Sequence, residues 1–564
     1  MADTVTVIGP DMAGGAYHHP VTWDYAIDAR PLPEIFAAQA EARPKAPLVD
    51  FLGRTYDYAT LHAEAQRFAA GLLRMGVGRG DRVGLFLPNV PIYISAYYGA
   101  MMVGAVTVNF SPLYTVEELS AQVEDSGARV MVTIDSAALL PTALEVLNGS
   151  SLRELVVGRL GTMLSPVKRI ALKVLGRKSI SAIPDRSDVH GWADMLAEPV
   201  AKLPDLAVTD LALLQYTGGT TGRPKGAMLT HENLSSNALQ VDSIDPFDRD
   251  DADIVMGALP LFHVFANTCV LNRTVAKGGM IAMVPRFEPK QVLKTIERVG
   301  ATAFPGVPTM YQALLDNPAM AKADLSSLRI CISGGAALAA PVREAFEEKT
   351  GARLVEGYGL TESSGVVSTN PYEGKRKPGT IGQLLPQTRV MLLDKEDATK
   401  PAPDGEPGEL VVRGPQVMQG YWNRPEAAAD AFARFDGEQW LRTGDIATVD
   451  EDNFLKIVDR SKDMISVGGF KVFPSQVEDV LVRHDAVREV LVIGVPDDYL
   501  GETPRAFITL NDDAGDTSGD DLREWLNGRI GKHERVSGVV IRDDLPKTMI
   551  GKLDRKALRA EVLD

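Results

Sequence analysis

Along most of the chain, short apolar runs rich in β-branched residues alternate with longer stretches of helical period. The runs include RVGLFL, ARVMVTI, DLALLQYT, GMIAMVP, ATAFPGVP and LRICISGG. Strands this short, separated by helices, predict parallel sheets covered on their faces. Around PGELVVRGPQVMQGYW the pattern changes to shorter strands with Gly and Pro turns, which sets off a β-rich part at about residues 379–459. Beyond Asp459-Arg460, KVFPSQVEDVLVRH reads as a helix, VREVLVIGVPD as a strand and turn, RAFITL as a strand and DLREWLNGRI as a helix. The pattern therefore predicts an α/β protein in two domains. Residues 1–459 hold parallel-sheet α/β subdomains plus the small β-rich subdomain, and residues 460–564 form an α+β domain of ordinary size. A chain of 564 residues is too long for one hydrophobic core, which favours that division.

Two stretches break the pattern. From Val83 to Val116 no charged residue occurs, and PIYISAYYGAMMVGAVTV within it is long enough to span a bilayer. Pro91 and Pro112 punctuate it, and Asn89 and Asn109 bracket its small-residue centre, so a strand, a buried helix and a second strand fit better. Residues 151–178 hold seven basic side chains (Arg153, Arg159, Lys168, Arg169, Lys173, Arg177, Lys178) and one acid, Glu154. After Pro166, a natural helix start, Val167, Ile170, Leu172, Val174 and Leu175 interleave with the cations. Two readings stay open: a basic amphipathic helix on an anionic membrane surface, or a solvated helix inserted between strands.

Composition narrows the function classes. The 59 basic and 75 acidic residues give a net charge of -16, which argues against a nucleic-acid partner. Anionic small ligands remain compatible, because a few local cations and helix N-termini can bind phosphate. Two cysteines, Cys269 and Cys331, both in apolar runs, point to a reducing compartment without a disulfide framework or metal cluster. MADTVTVIGPDMAGG lacks a basic region before an apolar stretch, which speaks against a secretory signal. The expected location is cytoplasmic, with peripheral contact on the inner face of the membrane open through residues 151–178. Oligomeric state is not legible, and a homodimer stays open.

The chemistry begins at Tyr216–Gly226, YTGGTTGRPKG, which follows the apolar strand DLALLQ. Glycines let a backbone approach an anion closely, threonine hydroxyls and N–H groups donate to phosphate oxygens, and Lys225 adds a mobile charge. It is not the common nucleotide loop GxxxxGK[ST], because Gly226 follows the lysine, and no HRD or DFG tripeptide is present.

This run resembles the phosphate-loop signature of the adenylate-forming superfamily of acyl-CoA synthetases, adenylation domains and luciferases. GYGLTE (357–362), RTGD (442–445), DRSKDMISVGGFKVFP (459–474) and PKTMIGKLDRK (546–556) resemble its further signatures, in the family's order and spacing. The resemblance implies that Thr217, Gly218, Gly219, Thr220, Thr221, Gly222 and Lys225 hold the phosphates of ATP. Tyr358, between Gly357 and Gly359, would stack on adenine, and Gly334, Gly335 and Ala336 would let the base lie flat. Thr361 would bond the α-phosphate, Glu362 would hold Mg²⁺, Asp445 the ribose hydroxyls and Arg460 the ribose and phosphates. Lys552 would be the catalytic cation, stabilising charge as carboxylate and α-phosphate meet. For the second step, family members rotate a mobile C-terminal domain about a hinge matched by Lys462, and Gly468, Gly469 and Lys471 would line the path of coenzyme A.

The acid is harder to read. LPLFHVFANT (259–268) resembles the LPLxHxF segment of bacterial long-chain fatty acyl-CoA synthetases. It places Phe262, His263 and Phe265 at the head of an acyl pocket, with Gly306 and Val307 opposite and His263 among the catalytic candidates. Neither LPLFHVFANT nor FPGVPTM contains Arg or Lys, so an apolar tail fits better than a carboxylated one. A medium- to long-chain fatty acid leads. Dicarboxylic and aryl acids, loading of a carrier protein, and a non-catalytic nucleotide- or fatty-acid-binding role at a membrane surface are the alternatives. No tryptophan gate is assignable, since Trp23, Trp192, Trp422, Trp440 and Trp525 all fall outside both the phosphate loop and the acyl segment.

Overall fold

The uncharged stretch folds as a strand (Arg82–Phe86), a helix (Pro91–Met102) and a second strand (Val106–Phe110). The computed structural model describes residues 7–9, 17–196, 198, 202–217, 224–247, 253–395, 397–435, 437–460, 463–468, 470–497, 499–511, 514–548 and 551–563. Every residue of helix Pro91–Met102 is buried, so its all-round apolarity reflects protein on every side. Among the described residues no helix is long and apolar enough to cross a membrane.

Two largely parallel sheets carry the strands that the hydrophobic runs predict. The first, of seven strands, runs Lys225–Thr230, Leu211–Thr217, Val106–Phe110, Arg82–Phe86, Val130–Ile134, Glu154–Gly158 and Val189–Gly191. Its first pair alone is antiparallel. The second, of nine strands, has a parallel centre ordered Arg353–Tyr358, Ile330–Gly334, Ala303–Gly306, Ile254–Gly257, Met280–Met283 and Pro47–Phe51, with antiparallel strands at both edges. Strands buried on both faces need no polar alternation, which is why these runs are continuously apolar.

The β-rich region is a six-stranded antiparallel sheet built from Arg389–Leu393, Gly408–Arg413, Phe432–Phe435, Glu438–Val449 and Leu455–Arg460, with Val7–Ile8 added at one edge. Residues 368–369 and 383–384 pair into the nine-stranded sheet instead, and the antiparallel strands begin at Arg389. The last sheet has five strands drawn from residues 465–541. Along its strand Val487–Asp497, Val490 and Val492 pack with Val477, Leu481 and Leu522 on one face. The alternating Leu491 and Ile493 pack with Phe507 and Leu558 on the other. This period of two gives that sheet a core on each side.

A buried ionic cluster joins the first sheet's helices to the nine-stranded sheet. Arg273 pairs with Asp245 at 2.6 Å and Asp253 at 2.5 Å, and Lys277 pairs with Asp245 at 2.5 Å. These side chains are at most 8% exposed. Burial pushes the Asp253 carboxyl up, but Arg273 and Lys277 outweigh it and hold it below the usual range. Removing one partner strands uncompensated charge in a dry interior. Arg273→Met is therefore expected to destabilise this region by about 3–5 kcal/mol, read as a lower denaturant midpoint.

Candidate active site

The parallel strands of the nine-stranded sheet end along one edge, where ligands of open α/β sheets bind. Register sets Gly306 beside Ser333 and Gly334 beside Gly357, so the predicted glycines converge there. Phe265 covers Gly334: a Cβ at that position would lie 3.1 Å from its ring. Tyr358, the next residue of its strand, donates its hydroxyl to Asp445. Asp445 lies opposite Arg460 in the antiparallel sheet and also accepts from its Nε at 3.2 Å. Burial pushes the Asp445 carboxyl up, with Arg460 opposing. Thr361 opens a single 3₁₀ turn, Thr361–Ser363, which ends on Ser364 at φ 58°. Glu362, on that turn, accepts the Tyr421 hydroxyl at 2.6 Å.

Tyr421 was not visible as a site residue in the sequence. Its ring lies 5.0 Å from the Lys225 ammonium, so one side chain orients both a predicted phosphate cation and a predicted metal carboxylate. The neighbouring chain runs along strand Lys225–Thr230, with Trp422 N–H donating to the Gly226 carbonyl at 2.8 Å. Trp422, remote in sequence, thus sits at the end of the phosphate-loop motif, and its indole is tied to the Asp125 carbonyl at 3.2 Å. Thr217 pairs with Lys225 across the base of the motif. Gly218, Gly219, Thr220, Thr221 and Gly222, and likewise Lys462 and Gly469, lie outside the described residues. Gly468 is exposed at φ +56°, and Lys471 belongs to strand Phe470–Val472.

Lys552 is brought to the same edge from almost 200 residues away in sequence. Its side chain lies directly on Gly335, which at φ +85° has no room there for a Cβ, while Ala336 beyond it is exposed. The turn carrying Lys552 is closed by Thr548, and the Gly551 carbonyl accepts the Thr309 hydroxyl at 2.7 Å. Three residues on, Arg555 donates to Glu478, to Asp463 at 2.8 Å and to the Val492 carbonyl at 3.1 Å, fixing the turn on the five-stranded sheet. Burial, and then the charge of Arg460, push the Lys552 ammonium down to about 8. Burial and Lys552 in turn push His263 down to about 3, so its imidazole is neutral at physiological pH. His263 Nδ1 accepts the Phe265 N–H at 3.3 Å, which leaves its proton on Nε2 as a donor.

Phe262, His263 and Phe265 owe their position to a chain of buried amides. Asn89 donates to the carbonyls of Gly257 and Leu259 and accepts the Leu261 N–H at 2.8 Å. The Tyr93 hydroxyl shares its one proton between Asn109 Oδ1 at 2.7 Å and the Leu261 carbonyl at 2.9 Å; Asn109 donates to Gln215 at 3.0 Å, and Gln215 to the Phe262 carbonyl at 2.9 Å. Gln215 is two residues before Thr217, so this chain fixes the His263 segment against the strand that leads into the phosphate loop. Opposite, Val307 is buried, and Tyr311 crowds Gly306 and donates to the Phe304 carbonyl at 2.6 Å.

Residues 36–422 match the family described as AMP-binding enzyme, and residues 476–552 match AMP-binding enzyme C-terminal domain. The chain belongs to this family, the adenylate-forming enzymes that its signatures resemble. A long-chain-fatty-acid–CoA ligase of Bacillus subtilis (strain 168) is 36% identical over 97% of this chain and 97% of its own. A feruloyl-CoA synthase of Amycolatopsis is 37% identical over 92% of this chain and 97% of its own. Among solved structures, ATP-bound MatB from Rhodopseudomonas palustris is 30% identical with a TM-score of 0.80, covering 94% of this chain and 99% of that one.

Gln215→Leu strands the Asn109 amide and the Phe262 carbonyl, a cost of about 1–3 kcal/mol that falls on the His263 segment. The expected outcome is a roughly tenfold or greater rise in KM for the acid with KM for ATP little changed, measured by steady-state kinetics. Equal effects on both would deny a positioning role.

Proposed function

We propose that this protein is an AMP-forming fatty acid–CoA ligase. The observation that carries the reading is Lys552, held on Gly335 within the electrostatic reach of both His263 and Arg460. A carboxylate bound at His263 Nε2 faces that ammonium, and so does an α-phosphate held by Thr361 and Arg460. The carboxylate oxygen attacks the α-phosphorus, the bond to the β-phosphate breaks, and pyrophosphate leaves. Charge moves between the two anions during this step, so a fixed desolvated cation there favours the transition state over the ground state. Lys225 and the loop after Thr217 take the departing phosphates. The Tyr358 ring takes adenine, and Asp445 has free lone pairs for ribose hydroxyls beside the partners it already holds. Glu362 keeps one carboxylate oxygen for Mg²⁺, an arrangement that fits an ion usually held by one or two carboxylates plus substrate phosphate. When bound, the ion would neutralise phosphate charge.

In the second step the thiol of coenzyme A attacks the acyl carbon and AMP leaves. Lys552 has to withdraw to admit the thiol. Among the described residues, the contacts across the proposed hinge include the Thr309–Gly551 hydrogen bond, the half-exposed pair Arg488–Asp316 at 2.9 Å and the Ser475 N–H to Asp459 bond at 2.9 Å. Residues 465–563 carry their own cores on both sheet faces, which supports their moving as one body about Lys462.

Two features support an apolar tail. Leu259–Thr268 and the facing segment Phe304–Met310 carry no Arg or Lys, and from Val264 the chain is buried through the turn Asn267–Asn272. Arg273, which follows that turn, has its guanidinium committed to Asp245 and Asp253, so it offers no spare charge to a second carboxylate. The relatives named for long-chain fatty acids and for feruloyl groups are similarly distant, which makes aryl acids the competing class.

With ATP, coenzyme A and an acid series, thioester is expected for medium- and long-chain fatty acids, ahead of a dicarboxylate and an aryl acid of matched length. AMP release without thioester, or preference for the aryl acid, would overturn the reading.

The ammonium of Lys552 is the active form, and a folded-state value near 8 means that it is lost as pH rises through 8 rather than near 10.5. In the free enzyme, kcat/KM for pyrophosphate release should therefore fall above pH 8. In the ATP complex, phosphate favours the charged form and moves the limb of kcat upward. Lys552→Ala should lower acyl-AMP formation by on the order of 10²–10³ while sparing thioester formation from supplied acyl-AMP.

A further inference from the structure

Asp125 lies in the last turn of helix Val116–Ser126, where a carboxylate meets the negative end of the helix dipole. Its side chain is only 17% exposed, and its two oxygens are taken by partners from distant parts of the chain. Oδ2 accepts the Tyr216 hydroxyl at 2.8 Å, and Oδ1 accepts the Arg424 guanidinium. Its carbonyl accepts the Trp422 indole N–H at 3.2 Å and the Asn423 amide at 3.4 Å. Arg82 braces the same corner: it donates to the carbonyls of Ser126 and Gly127, and its guanidinium lies 5.7 Å from the Trp422 ring.

Tyr216 opens the motif YTGGTTGRPKG and Gly226 closes it. The two are opposite each other in the antiparallel pair, and Trp422 donates its backbone N–H to the Gly226 carbonyl. A Cβ on Gly226 would lie 3.4 Å from the Tyr216 ring and 3.6 Å from the Trp422 side chain, so the glycine is held between them. One carboxylate thus ties together both ends of the motif. Through Trp422 it also steadies Tyr421, whose ring faces Lys225 and whose hydroxyl holds Glu362. Packing alone would be served as well by apolar side chains, without a charge opposed to the helix dipole.

We infer that Asp125 is a positioning residue for the β- and γ-phosphates of ATP. It acts through Tyr216, Trp422 and Arg424, fixing the frame in which Lys225 and the loop after Thr217 meet those phosphates. The inference rests on the adenylation reaction proposed above and assigns it a residue 91 positions before the motif begins.

The test is steady-state pyrophosphate release by the full chain carrying Asp125→Asn or Tyr216→Phe. Asp125→Asn keeps the side-chain shape and removes the charge that holds Arg424. It is expected to raise KM for ATP and weaken inhibition by pyrophosphate on the order of tenfold, with KM for the acid and inhibition by AMP within about twofold. Tyr216→Phe, which removes one oxygen, should shift the same two quantities about threefold, and it decides the matter if Asp125→Asn does not fold. The double variant should be no worse than Asp125→Asn, because both changes act along one path. Thioester formation from supplied acyl-AMP and coenzyme A involves no β- or γ-phosphate, so it should match the unaltered protein and reports intact folding. An unchanged KM for ATP, an equal rise in KM for the acid, or a matching loss of thioester formation from acyl-AMP would overturn the role of Asp125. Absence of pyrophosphate release by the unaltered protein would instead overturn the adenylation reading, and the inference with it.

Discussion

In the proposed reaction Lys552 is taken out of water and held where two anions meet, and an ammonium resists that transfer. The cost shows as its downward-shifted protonation, set by burial and by Arg460. A glycine at positive φ makes the space, a turn closed by Thr548 aims the side chain, and Arg555 anchors the turn to a sheet with its own core. A cation left with water around it would be more comfortable and less useful, since charge stabilisation strengthens as solvent is excluded.

The same desolvation governs the acid side. Burial and then Lys552 keep His263 neutral, which makes it an oriented donor. In the proposed reaction such a neutral donor positions the carboxylate without competing with Lys552 for its charge. The buried amides from Asn89 to Gln215 then decide where that donor sits, because each is satisfied only in one arrangement. The segment around His263 and the strand leading into the phosphate loop are therefore held in one frame, while the lysine arrives from a part of the chain with cores of its own.

Much of this was legible in the chain. The apolar runs marked the strands of both large sheets, because strands buried on both faces leave an uninterrupted signal. The Asn and Pro residues around PIYISAYYGAMMVGAVTV told a buried helix from a membrane span. The phosphate-loop glycines stood out by their own chemistry, whereas Gly334, Gly335, Glu362, Asp445 and Lys552 stood out only by resemblance to a family, since a lone Asp or Lys carries no local sign of its role. Tyr421, Trp422 and the Gln215–Asn109 link were not legible: each acts across at least 59 residues, and nothing near it in sequence names its partner. Val7–Ile8 joining a sheet near residue 390 was hidden for the same reason.

What the sequence determined by itself was the set of elements and the family, because periodicity and contiguous motifs are local properties of a chain. What only the tertiary structure decided was protonation and orientation. Lys552 becomes a shifted cation, His263 a neutral donor and Arg273 a spent one through neighbours supplied by distant segments. The outward valines of helix Pro166–Leu175 belong to the same class. The sequence showed that the helix has two faces, and packing alone decided which of them meets solvent.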